Sequence, residues 1–553
     1  MQTETAMTPT PTSLRTGLWL GALTSLAVIG VLYAGNQLAG TPFVPFDIFD
    51  WMARVLPGGI IVSVIQVMVR LITALNLGET SSTAKFMEQS IAIVQFVGGG
   101  ALLGLALAWA GRGNRNGLPI YGLMGGLILL TFTLLVEGSL GFGDANVTVA
   151  SLWLTAVFLG WGWLLARFVF QAGPALAGDT NAPVSRREFL NAAGLGSAAV
   201  TLAGLGLGRW LGDKPATTTS GPEAVAAPPA SDDPFGAALT SGPAASPTPE
   251  ELAARLAKAP GTRDELTHND DFYRIDINTL PARINGDTWR LSLGGLVDTP
   301  LELSLQDLMQ LPAVTQLLTM QCISNPVGGD LTGTTRWTGP RLKDVLALAG
   351  LSSRVRSLRV EAADDFFEYV SLEDAMDDRT LLVYLMNGEP LPTEHGYPLR
   401  VYIPNRYGMK QPKWITNIEA TDEATKNGFW VVRGWDEEAN ARATSVIDTV
   451  YVDSATTPPT VQVGGIAWAG ERGISKVEVE ADASGVWEEA TLINPPLSPL
   501  TWVQWRYDGW AYQSGQHDFR VRCYEGDGTL QIEELGSARP SGATGVHHMR
   551  VNI

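Results

Sequence analysis

Cysteine and histidine are scarce in this chain, and their scarcity excludes several kinds of metal site. Among 553 residues there are two cysteines, Cys322 and Cys523, and five histidines, the first of which is His268. Two cysteines cannot build a disulfide framework or a four-cysteine zinc or iron–sulfur site. The chain before His268 also lacks the histidines that normally ligate a haem in a helical bundle. The sequence therefore predicts neither haem nor an iron–sulfur cluster.

The formal net charge is −18, and the excess of acidic over basic residues is concentrated in one part of the chain. Residues 1–212 hold ten Lys and Arg against nine Asp and Glu, whereas the remainder holds 28 against 47. Nucleic-acid binding needs a basic surface, so the acidic remainder is predicted to be a soluble globule that binds no nucleic acid. Its acidic surface would suit a basic redox partner or would serve solubility alone.

Long apolar runs are confined to residues 1–212, which predict an α-helical transmembrane region anchored in the cytoplasmic membrane. Crossing the hydrocarbon core of a bilayer takes about 20 residues. Five runs meet this length, namely Gly17–Ala39, Ile91–Ala110, Leu118–Val136, Ser151–Phe170 and Phe189–Gly208. A further run, Pro57–Leu75, carries a polar stripe. We expect it to lie at the membrane interface, because five spans then agree with the positive-inside rule; the alternative is a sixth span.

Two adjacent arginines precede the last apolar run, in the stretch SRREFLNAAGLG that begins at Ser185. This stretch is similar to a twin-arginine export signal, which moves folded proteins across the cytoplasmic membrane. The alternative is a basic pair that obeys the positive-inside rule before an ordinary span. We expect the rest of the chain to lie on the extracytoplasmic side. Residues 213–261, rich in Pro, Ala, Ser and Thr, predict a flexible linker.

Residues 262–455 mix short strand and helix patterns and predict an α+β catalytic domain. Within it, Cys322 follows the apolar run LLTM and precedes a polar, glycine-rich loop. A lone cysteine after an apolar strand is most often a small core residue. A thiolate beside backbone N–H groups is also a soft metal ligand, so both interpretations stay open on these residues alone.

Three stretches together resemble the sulfite oxidase family of molybdopterin-dependent oxidoreductases. They are HNDDFY (268–273), MQC followed by RWTGPRLKDVL, and MNGEPLPTEHGYPLRVYIPNRYGMKQPKWI (386–415). The resemblance extends from Leu266 to the C-terminus. It implies a molybdenum ion, held by one molybdopterin, with Cys322 as the catalytic metal ligand.

The resemblance also implies which residues contact the cofactor. His395, Arg400 and Lys413 would supply cations and hydrogen-bond donors to its phosphate or nucleotide end. Gln411 and Pro412 would contribute main-chain contacts beside Lys413. The opening motif would add contacts from three residues, Asn269, Tyr273 and Arg274.

The chain departs from the sulfite oxidase pattern where that family binds its small oxyanion. Ile275 stands in place of an arginine, the segment CISNPVGG lacks an arginine pair, and Lys426 or Asn427 stands at the position of a tyrosine. Arg336, Arg406, Lys410 or Arg433 could compensate. The absence of the family's oxyanion-binding residues would instead suit a neutral sulfoxide, as in the family's methionine sulfoxide reductases, or an N-oxide.

Residues 456–553 alternate as β-strands and resemble the family's dimerisation domain, which implies an immunoglobulin-like sandwich. This domain either forms a homodimer or packs within the monomer. In the stretch HDFRVRCYE, Cys523 shares one face with Phe519 and Val521, so it is predicted to lie in the core.

The sequence thus predicts a membrane-anchored oxidoreductase that transfers an oxygen atom to or from a small substrate outside the cytoplasmic membrane. Electrons would pass through a separate carrier, either a cytochrome or a quinone-linked membrane protein. The non-enzymatic alternative is a membrane-tethered binding module that carries no cofactor.

Overall fold

The described residues form two compact units. A computed structural model describes residues 11–75, 77–114, 117–141, 146–177, 185–212 and 257–553. One unit lies within Met1–Leu56 and Lys85–Gly221, and the other within Pro57–Ala84 and Pro222–Ile553. Most of the predicted linker, residues 213–256, lies outside the described residues.

Residues up to 212 form mostly long apolar helices, of which the one at Gly58–Leu75 and the start of the one at Thr80–Gly113 lie in the second unit. The helices up to residue 212 are α1 (Leu14–Ala39), α2 (Val44–Val55), α3 (Gly58–Leu75), α4 (Thr80–Gly113), α5 (Leu118–Leu140), α6 (Val147–Ala177), α7 (Arg186–Leu190) and α8 (Gly196–Gly212), with a π-helical turn at Asn191–Leu195. By length and composition, five described helices could cross a membrane, and each contains one predicted run. A bent pair, Val44–Val55 with Gly58–Val69, would make a sixth span, which is the alternative left open by the sequence.

The twin-arginine pair begins a capped helix. Ser185 Oγ accepts a hydrogen bond from the backbone N–H of Glu188, and the Glu188 carboxylate accepts one from the N–H of Ser185. This capping box fixes the start of α7. An export function for the pair stays a prediction.

Glycines allow α1 and α4 to approach closely. A Cβ on Gly21 would lie 2.1 Å from the carbonyl oxygen of Gly100, and one on Gly104 would lie 2.1 Å from that of Gly17. The two helices therefore present paired Gly-x-x-x-Gly faces, a pattern that stabilises helix contacts inside membranes.

The catalytic region of the second unit is α+β. Its strands are β1 (Arg290–Gly295), β2 (Leu301–Ser304), β3 (Ala313–Gln321), β4 (Thr332–Pro340), β5 (Ser357–Ala362), β6 (Phe367–Ser371), β7 (Leu381–Val383), β8 (Leu385–Met386), β9 (Glu389–Pro390), β10 (Arg400–Tyr402) and β11 (Ile415–Thr421). They form sheets in the orders β2-β1-β11-β5-β6, β3-β4-β8-β9 and β10-β7. Short helices α9 (Leu305–Met309), α10 (Leu342–Ala349) and α11 (Leu372–Met376) connect them.

The C-terminal strands form one seven-stranded sheet in the order β12-β13-β16-β15-β14-β17-β18. They are β12 (Thr444–Asp453), β13 (Thr460–Trp468), β14 (Ile474–Ala481), β15 (Glu488–Leu492), β16 (Val503–Tyr507), β17 (Gln516–Glu525) and β18 (His547–Asn552). The sheet nearly closes on itself, because β12 contacts β17 and β18. A β-rich region is therefore present, whereas the immunoglobulin-like sandwich, the boundary at residue 455 and the homodimer stay predictions. Cys523 is fully buried on β17, as the alternation predicted.

Substitutions at two neighbouring glycines test the α1–α4 contact. A Cβ on Gly100 would lie 1.9 Å from Ser25 Oγ, whereas one on Gly99 would have nothing within 4 Å. We expect Gly100→Ala to destabilise the helical unit by about 1–3 kcal/mol through overpacking. Gly99→Ala should leave it unchanged or more stable. Thermal unfolding in detergent, followed by helical circular dichroism, measures both, and equal effects would exclude this packing.

Candidate active site

Cys322 lies at the end of β3, at the base of a closed loop. Its backbone N–H donates to the carbonyl oxygen of Leu331, 3.0 Å away. The side chain of Asn325 braces the loop from inside, since its Oδ1 accepts from the Leu331 N–H at 3.0 Å. Gly328 adopts φ of 75°, a left-handed conformation that favours glycine. The backbone thus fixes where the cysteine sulfur can lie.

The thiol of Cys322 is buried but retains a polar neighbour. The residue is 7% exposed, and its Sγ lies 3.0 Å from Ser324 Oγ. Burial raises the pKa of the Cys322 thiol, and the hydrogen bond from Ser324 partly opposes this rise. A thiolate here requires a nearby cation, because burial disfavours the charged form. A bound metal ion supplies that charge.

The Tyr273 hydroxyl lies near both Cys322 and Arg400. Burial raises the pKa of the Tyr273 hydroxyl, the nearby Cys322 raises it further, and the charge of Arg400 opposes the rise. Both residues therefore lie close enough to act electrostatically on one hydroxyl. Gly408 makes room for this tyrosine, since a Cβ there would lie 2.9 Å from Tyr273 Oη.

Arg400 is a buried cation with few partners. Its Nη1 donates to the carbonyl oxygen of His395 at 3.0 Å, its Nη2 lies 3.4 Å from Met320 Sδ, and its guanidinium carbon lies 5.0 Å from the ring centre of Trp337. Burial lowers the pKa of Arg400 to about 10. Arg400 forms no ion pair with a carboxylate within the described residues, although the charge of Asp276 acts on it, and its guanidinium could therefore bind an anionic ligand.

His395 is held as a neutral ring. Its Nε2 lies 3.0 Å from the carbonyl oxygen of Asn269, which can only accept, so Nε2 carries the proton. Burial lowers the pKa of His395 to about 3, and the charges of Lys413 and Arg400 contribute to the shift. Its Nδ1 therefore remains an acceptor rather than a cation. The predicted contact of His395 with the cofactor, as one of three residues that supply cations and hydrogen-bond donors, stays a prediction.

Lys413 belongs to a second group of charges around the buried Asp276. Its Nζ contacts Asp276 Oδ1 and donates to the carbonyl oxygen of Glu394 at 2.9 Å, while Arg274 contacts the other oxygen of Asp276. Burial lowers the pKa of Lys413 to about 8, although its pairing with Asp276 opposes this shift.

Gly396 packs against both Arg400 and Lys413, and so lies where the two groups of charges meet. It has φ of 114°, and a Cβ there would lie 3.1 Å from the Cβ atoms of both Arg400 and Lys413. Because L side chains rarely adopt this conformation, glycine is required where the two cations converge.

The remaining predicted residues hold the surrounding backbone. Asn269 accepts from the side chain of Asn387 at 2.9 Å. The Gln411 side chain donates to the carbonyl oxygen of Arg406 at 2.8 Å, and its backbone N–H donates to that of Gly408. The Pro412 carbonyl accepts from Val401 N–H at 3.0 Å. The predicted main-chain contacts of Gln411 and Pro412 with the cofactor stay a prediction.

Sequence reasoning missed a polar patch on the face of β3 and β4 that carries Trp337. Gln316 pairs directly with Trp337, and Thr335 pairs with Leu318. The buried polar atoms with no hydrogen-bond partner in the described part of the chain include Gln316 Nε2 and Oε1, Thr335 Oγ1, Trp337 Nε1 and Arg400 Nε. Buried polar atoms normally find partners, so this patch fits a ligand with many donors and acceptors. The sequence signal for this patch was Gln316, a polar residue that shares an otherwise apolar strand face with Val314, Leu318 and Met320.

The residues present fit an anionic pterin bound through a soft metal. A buried thiol, two buried cations and unpaired donors and acceptors lie around one core that contains Tyr273, Met320 and Cys322. The described residues contain no group of three or more His, Cys, Asp and Glu able to hold a metal ion. Cys322 is therefore the candidate ligand, with further ligands coming from the cofactor.

Known proteins match this region and its surroundings. Residues 278–430 match the family model of the oxidoreductase molybdopterin binding domain. This match includes Cys322, His395, Arg400 and Lys413, but begins after Asn269, Tyr273 and Arg274.

Two relatives illustrate the extent of the similarity. The mitochondrial sulfite oxidase of Macaca fascicularis is 31% identical over 320 residues, which cover 49% of this chain and 58% of that protein. The uncharacterized oxidoreductase YuiH of Bacillus subtilis (strain 168) is 33% identical over 168 residues, covering 30% of this chain and 80% of that protein. The chain thus covers less than two thirds of the sulfite oxidase. The crystal structure of the sulfane dehydrogenase SoxCD from Paracoccus pantotrophus has 20% identity and a TM-score of 0.46, covering 54% of this chain and 86% of that one.

Removal of one buried carboxylate tests the charge arrangement. The Asp276 side chain is fully buried between Arg274 and Lys413. We expect Asp276→Asn to destabilise the cofactor-free protein by about 3–5 kcal/mol, because two cations lose their partner. The exposed pair of Asp422 with Arg354 offers a control, and Asp422→Asn should cost about 1 kcal/mol or less. Urea unfolding measures both, and equal small effects would contradict the arrangement.

Proposed function

Because the chain belongs to the sulfite oxidase family of molybdopterin-binding oxidoreductases, we propose that it transfers an oxygen atom to or from a small substrate outside the cytoplasmic membrane. The observation that supports this most is the convergence of Cys322, Tyr273 and Arg400 on one buried site. Membership of this family shows that the chain is an oxidoreductase that binds molybdopterin. Its substrate, its membrane anchoring and its partners are part of the proposal.

We assign the cofactor contacts from the chemistry of each side chain. Cys322 would ligate molybdenum, and Arg400 and Lys413 would bind the phosphate end of a single molybdopterin. Neutral His395 would accept a hydrogen bond at Nδ1, and Gln316, Thr335 and Trp337 would pair with the pterin ring. Once bound, the cofactor supplies a metal that exchanges two electrons during oxygen-atom transfer.

The protein's own contribution is to exclude water and to fix the cofactor. Tyr273, Met320 and Trp337 are each at most 7% exposed, so the region around the thiol is dry. In such a region, charges and hydrogen bonds act more strongly than in water. Ser324 would orient the sulfur of Cys322 through the contact described above.

We propose a neutral S-oxide or N-oxide as the substrate class, because three of the four compensating cations are engaged elsewhere and the fourth, Arg336, lies on the other strand face. Arg406 pairs with Asp374 at 3.0 Å, and the buried Lys410 pairs with Glu368 at 2.8 Å. Arg433 donates to the carbonyl oxygen of Phe429 at 2.7 Å. Strand alternation places Arg336 on the opposite face of β4 from Trp337. A site with few free cations binds sulfite weakly.

Electron transfer requires a second component in this proposal. Cys523, the second cysteine, is fully buried in the C-terminal sheet, where it cannot join Cys322 in a cluster. We propose that a cytochrome or a quinone-linked membrane protein exchanges electrons with the site. The cofactor-free binding module has no support, because the matched family model is an oxidoreductase domain.

Helix α3 supports attachment at the membrane interface. Five of its apolar residues are 45–63% exposed and recur every three or four positions, namely Ile60, Val64, Val67, Leu71 and Leu75. Met68 and Ile72 are buried instead. One exposed apolar stripe with a second buried face is typical of an interfacial helix. Its chain continues into α4, a candidate span, so we propose that this stripe contacts lipid.

A substrate panel tests the proposed reaction. Purified protein supplied with a reduced dye as electron donor should reduce methionine sulfoxide and other S-oxides or N-oxides. Supplied with an oxidised dye as electron acceptor, it should oxidise sulfite at least about tenfold more slowly, because it lacks free cations. Cys322→Ser should remove both activities, whereas Cys523→Ser should retain them. Preferential oxidation of sulfite would contradict the substrate class, and an active Cys322→Ser variant would contradict the site.

Lipid quenching tests the position of α3. A fluorophore on Leu71→Cys should be quenched by lipids with a nitroxide near the headgroup, because the stripe lies at the interface. The same fluorophore on Leu348→Cys, an equally exposed position in α10, should not respond. Quenching strongest near the bilayer centre would indicate a sixth span instead, and no quenching at Leu71 would contradict lipid contact.

A further inference from the structure

The loop that carries Cys322 is bound by the beginning of a long apolar helix. The backbone N–H of Thr80, the first residue of α4, donates to Asp330 Oδ2 over 2.8 Å. Thr80 and Ser81 are 6% and 3% exposed, and the hydrogen bond to Asp330 is partly buried. The two partners are 250 positions apart in the sequence.

The contact joins groups that otherwise lack partners. The first four N–H groups of a helix have no acceptor within that helix, and its N-terminus carries a partial positive charge. The ionised Asp330 therefore matches Thr80 both as an acceptor and as a charge. The other oxygen, Oδ1, is buried and has no hydrogen-bond partner among the described residues. Loss of the Thr80 amide would leave the carboxylate without a donor.

Asp330 adjoins the bond that holds Cys322. The next residue, Leu331, accepts the Cys322 N–H through its carbonyl oxygen and donates its own N–H to Asn325. The carbonyl oxygen of Asp330 accepts from Thr332 N–H at 2.8 Å. A shift of Asp330 would therefore move the backbone that anchors the cysteine.

We propose that Asp330 is a positioning residue for Cys322, and that it acts by binding the N-terminus of α4. The helix that continues into a candidate span thus sets how firmly the cysteine loop is closed. The importance of this contact for catalysis rests on the proposed role of Cys322 as metal ligand. Closure of the loop itself is a property of the chain and is measurable without cofactor.

The test measures how fast Cys322 reacts in the full-length, cofactor-free protein in lipid nanodiscs. N-ethylmaleimide modification of Cys322 and Cys523 is followed by mass spectrometry, so the buried Cys523 reports unfolding in the same sample. Thr80→Pro removes the N–H donor together with the threonine side chain but keeps the helix, because proline suits the first position of a helix. Thr80→Ala keeps that donor and is the matched control. Asp330→Ala removes the acceptor, and Asp330→Asn keeps a neutral one.

We expect Thr80→Pro and Asp330→Ala each to accelerate Cys322 modification about tenfold or more, the effect of losing one charge-assisted hydrogen bond. Asp330→Asn should be intermediate, and Thr80→Ala should match the wild type. The double variant should be no faster than either single one, because both lose the same contact. Cys523 should react equally slowly throughout.

Wild-type rates in both single variants, or multiplied effects in the double variant, would overturn the proposal. If Asp330→Ala also exposes Cys523, it has unfolded, and Thr80→Pro with Asp330→Asn decides the result. Because no catalysis is measured, an inactive enzyme would not change this outcome.

Discussion

The burial of one cysteine sulfur in the same core region as the Arg400 cation is the constraint on which the site depends. A thiolate in a dry region is unfavourable unless a cation lies against it. Cations in the same region are equally unfavourable unless an anion accompanies them. Here Asp276 partly compensates Lys413 and Arg274, whereas Arg400 relies on carbonyl, sulfur and aromatic contacts. A metal bound to an anionic cofactor would satisfy both requirements at once.

The fold supplies these charges from segments far apart in sequence. The cysteine comes from the end of β3, Arg400 begins β10, and Lys413 precedes β11. Glycines at Gly396 and Gly408 make room where side chains converge. The N-terminus of α4 reaches the same loop through Asp330. The site is therefore held by backbone hydrogen bonds on several sides rather than by one rigid element.

Local patterns predicted much of this architecture, because they depend on neighbouring residues. The apolar runs gave five helices long enough to span a membrane, and alternation placed Cys523 in the core. Motifs pointed to Cys322 and Arg400. The role of Asp276 was not visible, because its partner Lys413 is 137 positions away. The lowered pKa of His395 depends on burial and on the nearby charges of Lys413 and Arg400, which no motif reveals. Gln316 left a readable signal, a polar residue on an apolar strand face, that was not used.

The central claim is that the sulfur of Cys322 is bonded to molybdenum, and X-ray absorption at the molybdenum edge tests it most directly. The purified wild-type protein should show three sulfur neighbours, one from the cysteine and two from the pterin. The Cys322→Ser variant should retain the cofactor and show two sulfur neighbours around molybdenum. An unchanged sulfur count in the variant, or a wild-type protein with only two, would contradict the account.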